Sequence, residues 1–187
     1  MLRLIFVTNN RHKIIEAENI LKKYNIKIEK PLVGMKKLEI QSSSLEEIIK
    51  YAADYLFKMN FCNFFIEDAG LFIDHLNGFP GPYSSYVYKT IGVDGILKLM
   101  DGISNRSAYF LSVVGLCFKD VIKIFVGEVK GKISLEARGE KGFGFDPIFI
   151  PEGYEETFAQ MDLEKKNSMS HRAKALRKMA EYLKKFY

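Results

Sequence analysis

The sequence predicts a mixed α/β fold, and three observations support this prediction. Residues 2–7 are almost entirely apolar, and they run through a polar turn into a helical pattern. Apolar residues recur at helical spacing after Ser44. Two long segments, 106–118 and 121–129, are rich in β-branched and aromatic residues. A strand that leads through a polar turn into a helix is the opening unit of an α/β protein.

The helices are predicted from apolar periodicity and from capping signals. The first covers residues 11–24 and carries apolar side chains on one face. The second begins at the Ser44–Glu47 capping box and continues to Met59, because serine and glutamate there can satisfy the free backbone N–H groups. A third runs through Gly92 to Met100. The apolar face of the last helix consists of Leu176, Met179, Ala180, Leu183 and Tyr187.

The remaining strands follow from short apolar runs next to turn residues. Phe64–Ile66 is predicted to be a strand that ends where Glu67 and Asp68 begin. The polar pair Lys119–Asp120 separates the two long β-rich segments, so a hairpin is expected there. Residues 147–150 are predicted to form another short strand.

Composition limits the class of protein. The 187 residues, with 48% hydrophobic content, predict one globular domain over residues 1–187. No run of eighteen apolar residues and no signal-peptide pattern occurs, which predicts a cytoplasmic protein without a membrane partner. Cys62 and Cys117 lie in apolar runs without metal-ligand spacing, and we expect buried free thiols.

The first candidate site is the polar turn from Thr8 to Lys13. A helix N-terminus offers unpaired N–H groups and a positive dipole end, both of which favour a phosphate. Thr8 and Asn10 can add hydrogen bonds, and Lys13 adds a positive charge. The alternative, which the pattern alone favours, is that Asn9 or Asn10 only caps the helix.

The second candidate site is the carboxylate pair Glu67–Asp68, with Glu39 as a possible third member. Adjacent carboxylates suit a hard cation such as Mg²⁺, which uses one or two carboxylates together with substrate phosphate oxygens. A carboxylate beside the cation can accept a proton from the attacking water. The alternatives are a solvated loop for the pair and the exposed side of a strand for Glu39.

Two further segments combine features of a base pocket. In Gly142–Pro147, Phe143 or Phe145 can stack on a flat base and Asp146 can hydrogen-bond to it, unless the rings only fill the core. Segment 166–172 places two basic residues at the start of the last helix, against the helix dipole, which favours a ligand there. Arg172 is suited to donate to a carbonyl or a phosphate oxygen.

The net charge of +5 admits a rival interpretation, a protein that binds nucleic acid. Residues 165–185, however, contain eight Lys and Arg and one acidic residue, so the excess is confined to one segment that includes Lys166 and Arg172. Nucleic-acid binding also leaves the Glu67–Asp68 pair without a purpose. No Ser-His-Asp order, Walker motif or zinc spacing is present. The set of motifs therefore indicates a nucleotide hydrolase that uses Mg²⁺ and water.

Over nearly its whole length, the chain resembles the inosine triphosphate pyrophosphatases, the Ham-type family. The resemblance rests on motifs in the family's order: residues 8–13, 67–71, 79–84, 142–149 and 170–172. The resemblance implies an elongated α/β fold with a nucleotide-binding cleft between two lobes, and a homodimer. It also implies Mg²⁺-dependent hydrolysis of ITP, dITP and XTP to the monophosphate and pyrophosphate. A pyrophosphatase for other modified nucleotides on a similar scaffold is the alternative.

The resemblance also assigns roles to residues. Asp68 is implied as the general base, and Glu39 and Asp68 as the metal ligands. Relatives often carry a lysine at the position of Ala52, where Lys50 is the nearest lysine of this helix. The implied substrate contacts are Thr8, Asn9, Asn10, Arg11, His12, Lys13, Ala69, Phe143, Gly144, Phe145, Asp146, Lys166, His171 and Arg172.

Overall fold

The structure is a computed structural model that describes residues 1–186. Its strands are β1 (Leu2–Phe6), β2 (Ile26–Glu29), β3 (Phe64–Ile73), β4 (Pro80–Gly81), β5 (Ser107–Phe118), β6 (Val121–Ile133) and β7 (Phe149–Pro151). Its helices are α1 (Arg11–Leu21), α2 (Leu45–Lys58), α3 (Ser84–Thr90), α4 (Gly92–Leu99), α5 (Leu163–Met169) and α6 (His171–Leu183). The predicted position of Tyr187 on the last helix lies outside the described residues.

The strands of the described chain form one mixed sheet in the order β2-β1-β3-β5-β6-β7, with β4 added beside β3. Strand β1 pairs in parallel with β2 and with β3, where Ile5 lies opposite Phe64. Strand β4 is antiparallel to β3, and β7 is antiparallel to β6. A mixed sheet with helices confirms the predicted α/β class.

The described residues divide into two compact units, each with its own core. The first unit comprises residues 1–68, 112–127 and the chain from His171 onward, and the second comprises residues 69–111 and 128–170. In the first unit, α1 and α6 pack around β1, with Phe6 stacked on Phe65 at 4.3 Å between ring centroids. In the second unit, Phe110, Phe149 and Phe158 form an aromatic centre. The single domain over 1–187 stays a prediction.

Several predicted elements are confirmed. Helix α1 continues as a short 3₁₀ turn to Tyr24, as the pattern indicated. Ser44 caps α2 by accepting a hydrogen bond from the backbone N–H of Glu47. The hairpin turns at Lys119 and Asp120, which both have positive φ, 49° and 60°. No helix within residues 1–186 has the length and apolarity needed to span a bilayer.

Other expectations were wrong or incomplete. Strand β3 does not end at Ile66 but continues to Ile73, so Glu67 and Asp68 lie inside a strand and not beyond its end. The strand tolerates these charges because side chains that are distant in sequence pair with them, as described below. Cys117 is buried as expected, whereas Cys62 is exposed. The short elements β2, β4, α3 and α5 were not predicted.

Candidate active site

Five charged side chains of the described first unit contact one another and form what we call the carboxylate–lysine cluster: Lys13, Lys37, Glu39, Glu67 and Asp68. Lys13 Nζ lies 3.0 Å from Glu67 Oε2 and 3.2 Å from Asp68 Oδ1. Lys37 Nζ lies 2.6 Å from Glu39 Oε1 and 2.9 Å from Asp68 Oδ2. Asp68 is therefore the carboxylate that both lysines share.

The turn before α1 sets the position of Lys13. Asn10 Oδ1 accepts hydrogen bonds from the backbone N–H groups of His12 and Lys13, at 3.0 and 3.3 Å. Thr8 Oγ1 accepts one from the backbone N–H of Asn10. The capping interpretation of this turn is thus confirmed for Asn10. Lys13 falls in the first helical turn, and the phosphate contacts expected from the turn stay predictions.

The side chains of this turn differ in their exposure to solvent. Asn9, Asn10, Arg11 and His12 are all exposed to solvent. In contrast, the side chain of Lys13 is only 13% exposed. Among these residues, the structure therefore brings Lys13 to the carboxylates and leaves the other side chains at the surface.

The protonation state of Asp68 follows from its two lysine partners. Burial acts to raise the pKa of Asp68, but the charges of Lys13 and Lys37 outweigh burial and lower this pKa below its ordinary value. For Lys37, burial acts to lower the pKa, yet the Asp68 carboxylate leaves it raised. At neutral pH, Asp68 is therefore a carboxylate and Lys37 an ammonium ion.

A second set of contacts fixes Glu67 from the side of α6. Arg172 Nε lies 3.2 Å from Glu67 Oε1, and Arg172 Nη1 contacts Glu16 Oε2. Ser112 donates a hydrogen bond to Glu67 Oε1 at 2.6 Å. Glu16, Glu67 and Arg172 are 2–4% exposed. They form a buried ion network that joins α1, β3 and α6.

The network keeps Glu67 ionised although it is buried. Burial acts to raise the pKa of Glu67, but Arg172 first and Lys13 second lower it to about 2. The same carboxylates raise the pKa of Arg172 above its ordinary value, against the effect of burial. Arg172 is thus held by two acidic residues, and its role as a reader of a purine carbonyl stays a prediction. His171, the adjacent predicted contact, is also buried.

The Glu39–Asp68 pair suits a divalent cation of the Mg²⁺ type. One oxygen of each carboxylate already lies within 3 Å of a single cationic atom, Lys37 Nζ. The Glu39 side chain is 63% exposed, so it can adjust to an incoming ion. Within residues 1–186 no cluster of three or more His, Cys, Asp or Glu forms. Mg²⁺ takes one or two protein carboxylates and completes its shell with water and phosphate oxygens.

In the second unit, a buried ion pair organises the glycine-rich loop. Lys166 Nζ lies 2.6 Å from Asp146 Oδ2, and both residues are 3% exposed. Asp146 Oδ2 also accepts a hydrogen bond from the backbone N–H of Phe143 at 2.8 Å. Gly142 has a φ of +74°, and an added Cβ would collide with the Asp146 carboxylate. Asp146 therefore fixes the loop, and its contact to a base stays a prediction.

The two phenylalanines of this loop differ. Phe145 is 3% exposed, belongs to the core of the second unit and packs edge-on against Tyr88. The core-filling interpretation is thus confirmed for Phe145. Phe143 is half-buried, with Lys166 Nζ 5.1 Å from its ring centroid, and remains the ring that can stack on a base. Gly144 borders open space, and Ala69 lies half-buried in β3.

The sequence interpretation missed three members of these networks. Glu16 lies one turn after Lys13 and one turn before buried Ile20, so a charge on a buried helix face was a signal that could have identified it. Ser112 carries no such signal, because a serine inside a strand is ordinary. Lys37 stands two residues before Glu39, and only the structure shows that it turns toward Asp68.

Paired carboxylates can hold a divalent cation together with substrate phosphates, so the fold and the site define a candidate enzyme that acts on phosphate groups with a metal ion. Comparison with known proteins narrows this class. The sequence profile of the Ham1 family matches residues 4–182, and the chain belongs to this family.

Relatives and solved structures agree with this assignment. The chain is 50% identical over 184 residues to a dITP/XTP pyrophosphatase of Methanopyrus kandleri, covering 98% of this chain and 97% of the relative. It is 51% identical to a dITP/XTP pyrophosphatase of Saccharolobus solfataricus, covering 96% and 93%. The solved Ham1 protein of Staphylococcus aureus superposes with a TM-score of 0.86 at 27% identity, covering 99% of this chain and all of that one.

Proposed function

We propose that the protein is a nucleoside triphosphate pyrophosphatase, which hydrolyses ITP, dITP and XTP of the cytoplasmic nucleotide pool to the monophosphate and pyrophosphate. The observation that carries the proposal is the Glu39–Asp68 pair. One oxygen of each carboxylate lies within 3 Å of the same atom, Lys37 Nζ, so both carboxylates can bind a single cation. Relatives about 50% identical over nearly the full chain are dITP/XTP pyrophosphatases, which supports the substrate class.

In this proposal Asp68 is the general base. Its lowered pKa leaves it ionised at neutral pH, as a proton acceptor requires. The Asp68 carboxylate takes a proton from water, and the water oxygen bonds to the α-phosphorus. The bond from the α-phosphorus to the oxygen that bridges the β-phosphate breaks, and that oxygen leaves with the pyrophosphate.

The other members of the cluster orient and neutralise the triphosphate. Glu39 and Asp68 would hold the cation, which we propose to be Mg²⁺. When bound, it supplies positive charge to the phosphate oxygens. Lys13 lies in the first turn of α1, where its ammonium and the helix N-terminus both favour phosphate. Glu67, fixed by Arg172, acts as a positioning residue because it holds Lys13 beside Asp68.

The substrate panel tests the function directly. Purified protein with Mg²⁺ is incubated with ITP, dITP, XTP, ATP, GTP and a methylated or modified pyrimidine triphosphate, and pyrophosphate is measured. We expect pyrophosphate from the first three at rates far above those for ATP. Equal turnover of ATP, orthophosphate as the product, or preference for the modified pyrimidine would each overturn the proposal.

The role of Asp68 is tested with a matched pair of variants. Asp68→Asn removes the proton acceptor at nearly constant shape, so we expect turnover to vanish while ITP binding persists. Asp120→Asn makes the same chemical change at the exposed hairpin turn and should leave the rate unchanged. Near-normal turnover in Asp68→Asn would reject Asp68 as the base.

The proposal also includes a contact to the purine base and an oligomeric state. We propose that Phe143 stacks on the purine, so Phe143→Ala should raise KM with little change in folding. We also propose a homodimer, which sedimentation equilibrium tests by the mass in solution.

A further inference from the structure

Lys37 stands where the proposed metal ion would bind. Its ammonium nitrogen lies 2.6 Å from Glu39 Oε1 and 2.9 Å from Asp68 Oδ2, the two carboxylates assigned to the ion. The side chains of Lys37 and Asp68 are 14% and 20% exposed, so the contact between them is largely shielded from solvent. The same two oxygens cannot hold an ammonium and a divalent cation at these distances, because the two positive charges would lie within a few ångströms of each other.

We propose that Lys37 is a built-in cation that competes with the divalent metal ion for the Glu39–Asp68 pair. This inference rests on the proposed function, because it takes these carboxylates as the metal ligands. Lys37 keeps the two carboxylates neutralised while the ion is absent, and it must leave them before the ion can bind. The metal affinity of the protein is therefore set partly by a residue that is not a metal ligand.

The surroundings of Lys37 allow this exchange without a change of fold. Lys13 contacts the other oxygen of Asp68, at 3.2 Å, so Asp68 keeps one partner after Lys37 departs. Glu39 is 63% exposed, which opens the pair to solvent. A lysine ammonium sits on a flexible four-carbon stem, so it can rotate away from the pair without a movement of the backbone.

The charge of Lys37 also bears on metal binding. Lys37 contacts both carboxylates of the Glu39–Asp68 pair, and Lys13 contacts Asp68 as well. Removal of the Lys37 charge makes the surroundings of this pair more negative by one charge. A divalent cation would meet a more negative site and no competitor.

The test is direct metal binding without nucleotide. Mn²⁺ is titrated into each protein, and free Mn²⁺ is measured by electron paramagnetic resonance. Lys37→Met keeps most of the length of the side chain and removes its charge, and we expect about tenfold tighter binding. Lys36→Met removes the same charge from the exposed neighbouring residue, and we expect a change of less than twofold.

Thermal unfolding gives a second measurement. Without metal, Lys37→Met should melt below the wild type, because its carboxylates lose their partner. Added Mn²⁺ should raise the melting temperature of this variant more than that of the wild type, since at a given concentration a ligand of lower Kd stabilises the folded state more. Lys37→Gln serves as a second uncharged variant if Lys37→Met does not fold.

Unchanged or weaker Mn²⁺ binding in the uncharged variants would overturn the proposal, and so would equal tightening in Lys36→Met. Turnover of ITP by the wild type is measured in the same preparations. An active wild type with no tightening in the variants rejects the role of Lys37 alone. A wild type that binds Mn²⁺ but does not hydrolyse ITP rejects the proposed function and leaves the competition measurable.

Discussion

Replacement of Arg172 by methionine tests the buried ion network. The change keeps an apolar stem of similar length but leaves Glu16 and Glu67 buried without their guanidinium partner. The folded pKa of Glu67 is about 2, against an ordinary value of 4.5. That difference corresponds to about 3 kcal/mol at neutral pH. Breaking a buried pair from one side typically costs about 3–5 kcal/mol, so we expect the free energy of unfolding to fall by that amount.

The pH dependence has a definite sign. In the wild type, the folded pKa of Glu67 lies below the unfolded one, so its contribution to stability is present above about pH 4.5 and is lost as the pH falls toward 2. In Arg172→Met the largest stabilising charge is gone and burial raises the pKa of Glu67. The deficit of the variant should therefore be largest at neutral pH and should shrink in acid.

Urea unfolding followed by far-UV circular dichroism, at pH 7 and at pH 4, measures both effects. The control is Lys174→Met, which removes one positive charge from an exposed position of α6 and should cost less than about 1 kcal/mol. The double variant Arg172→Met with Glu67→Gln should recover part of the loss, because the unpaired charge is removed. A loss below about 1 kcal/mol in Arg172→Met, or a deficit that does not change with pH, would refute the reasoning.

Three further predictions concern single contacts. Ser112→Ala removes the hydrogen-bond donor to Glu67 Oε1 and should lower the free energy of unfolding in urea by about 1–3 kcal/mol. NMR titration should show a higher pKa of Glu67 in this variant, and an unchanged pKa would contradict the prediction. Gly127→Ala places a methyl group against the backbone of α6 and should lower the free energy of unfolding by about 1–3 kcal/mol. A midpoint of urea unfolding equal to that of the wild type would mean that α6 moves to accommodate the methyl group. Lys166→Met leaves buried Asp146 without its ammonium partner and should lower the free energy of unfolding by about 3–5 kcal/mol. Lys166→Arg should restore part of this loss, and equal stability of the two variants would count against a stabilising ion pair.

The elements that the sequence predicted well are those whose signals are local. Helix α2 has its apolar face and its cap within one segment, and Ser44 makes the expected bond to Glu47. The hairpin turn needs only Lys119 and Asp120. Strand β3 was cut short because a charged pair normally ends a buried strand. Only contacts from other parts of the chain make Glu67 acceptable there.

The residues of the candidate site show the same difference between local and long-range signals. Glu67, Asp68, Lys13 and Glu39 could be chosen from their types and positions, because carboxylates and a basic first turn suggest phosphate and metal chemistry. The basic segment 165–185 was more ambiguous. In the structure, Lys166 and Arg172 are buried in ion pairs, so neither adds to an exposed positive surface.

The sequence by itself determined the α/β class, the capped helices and the residue types that can handle a triphosphate, since each of these depends on neighbours along the chain. Only the tertiary structure decided how the charges pair. Arg172 and Glu16 are 156 residues apart in sequence yet in contact, and Lys37 reaches Asp68 from a separate segment. The pKa of a buried carboxylate depends on which cations lie within a few ångströms, and that proximity is set by folding, not by order in the chain.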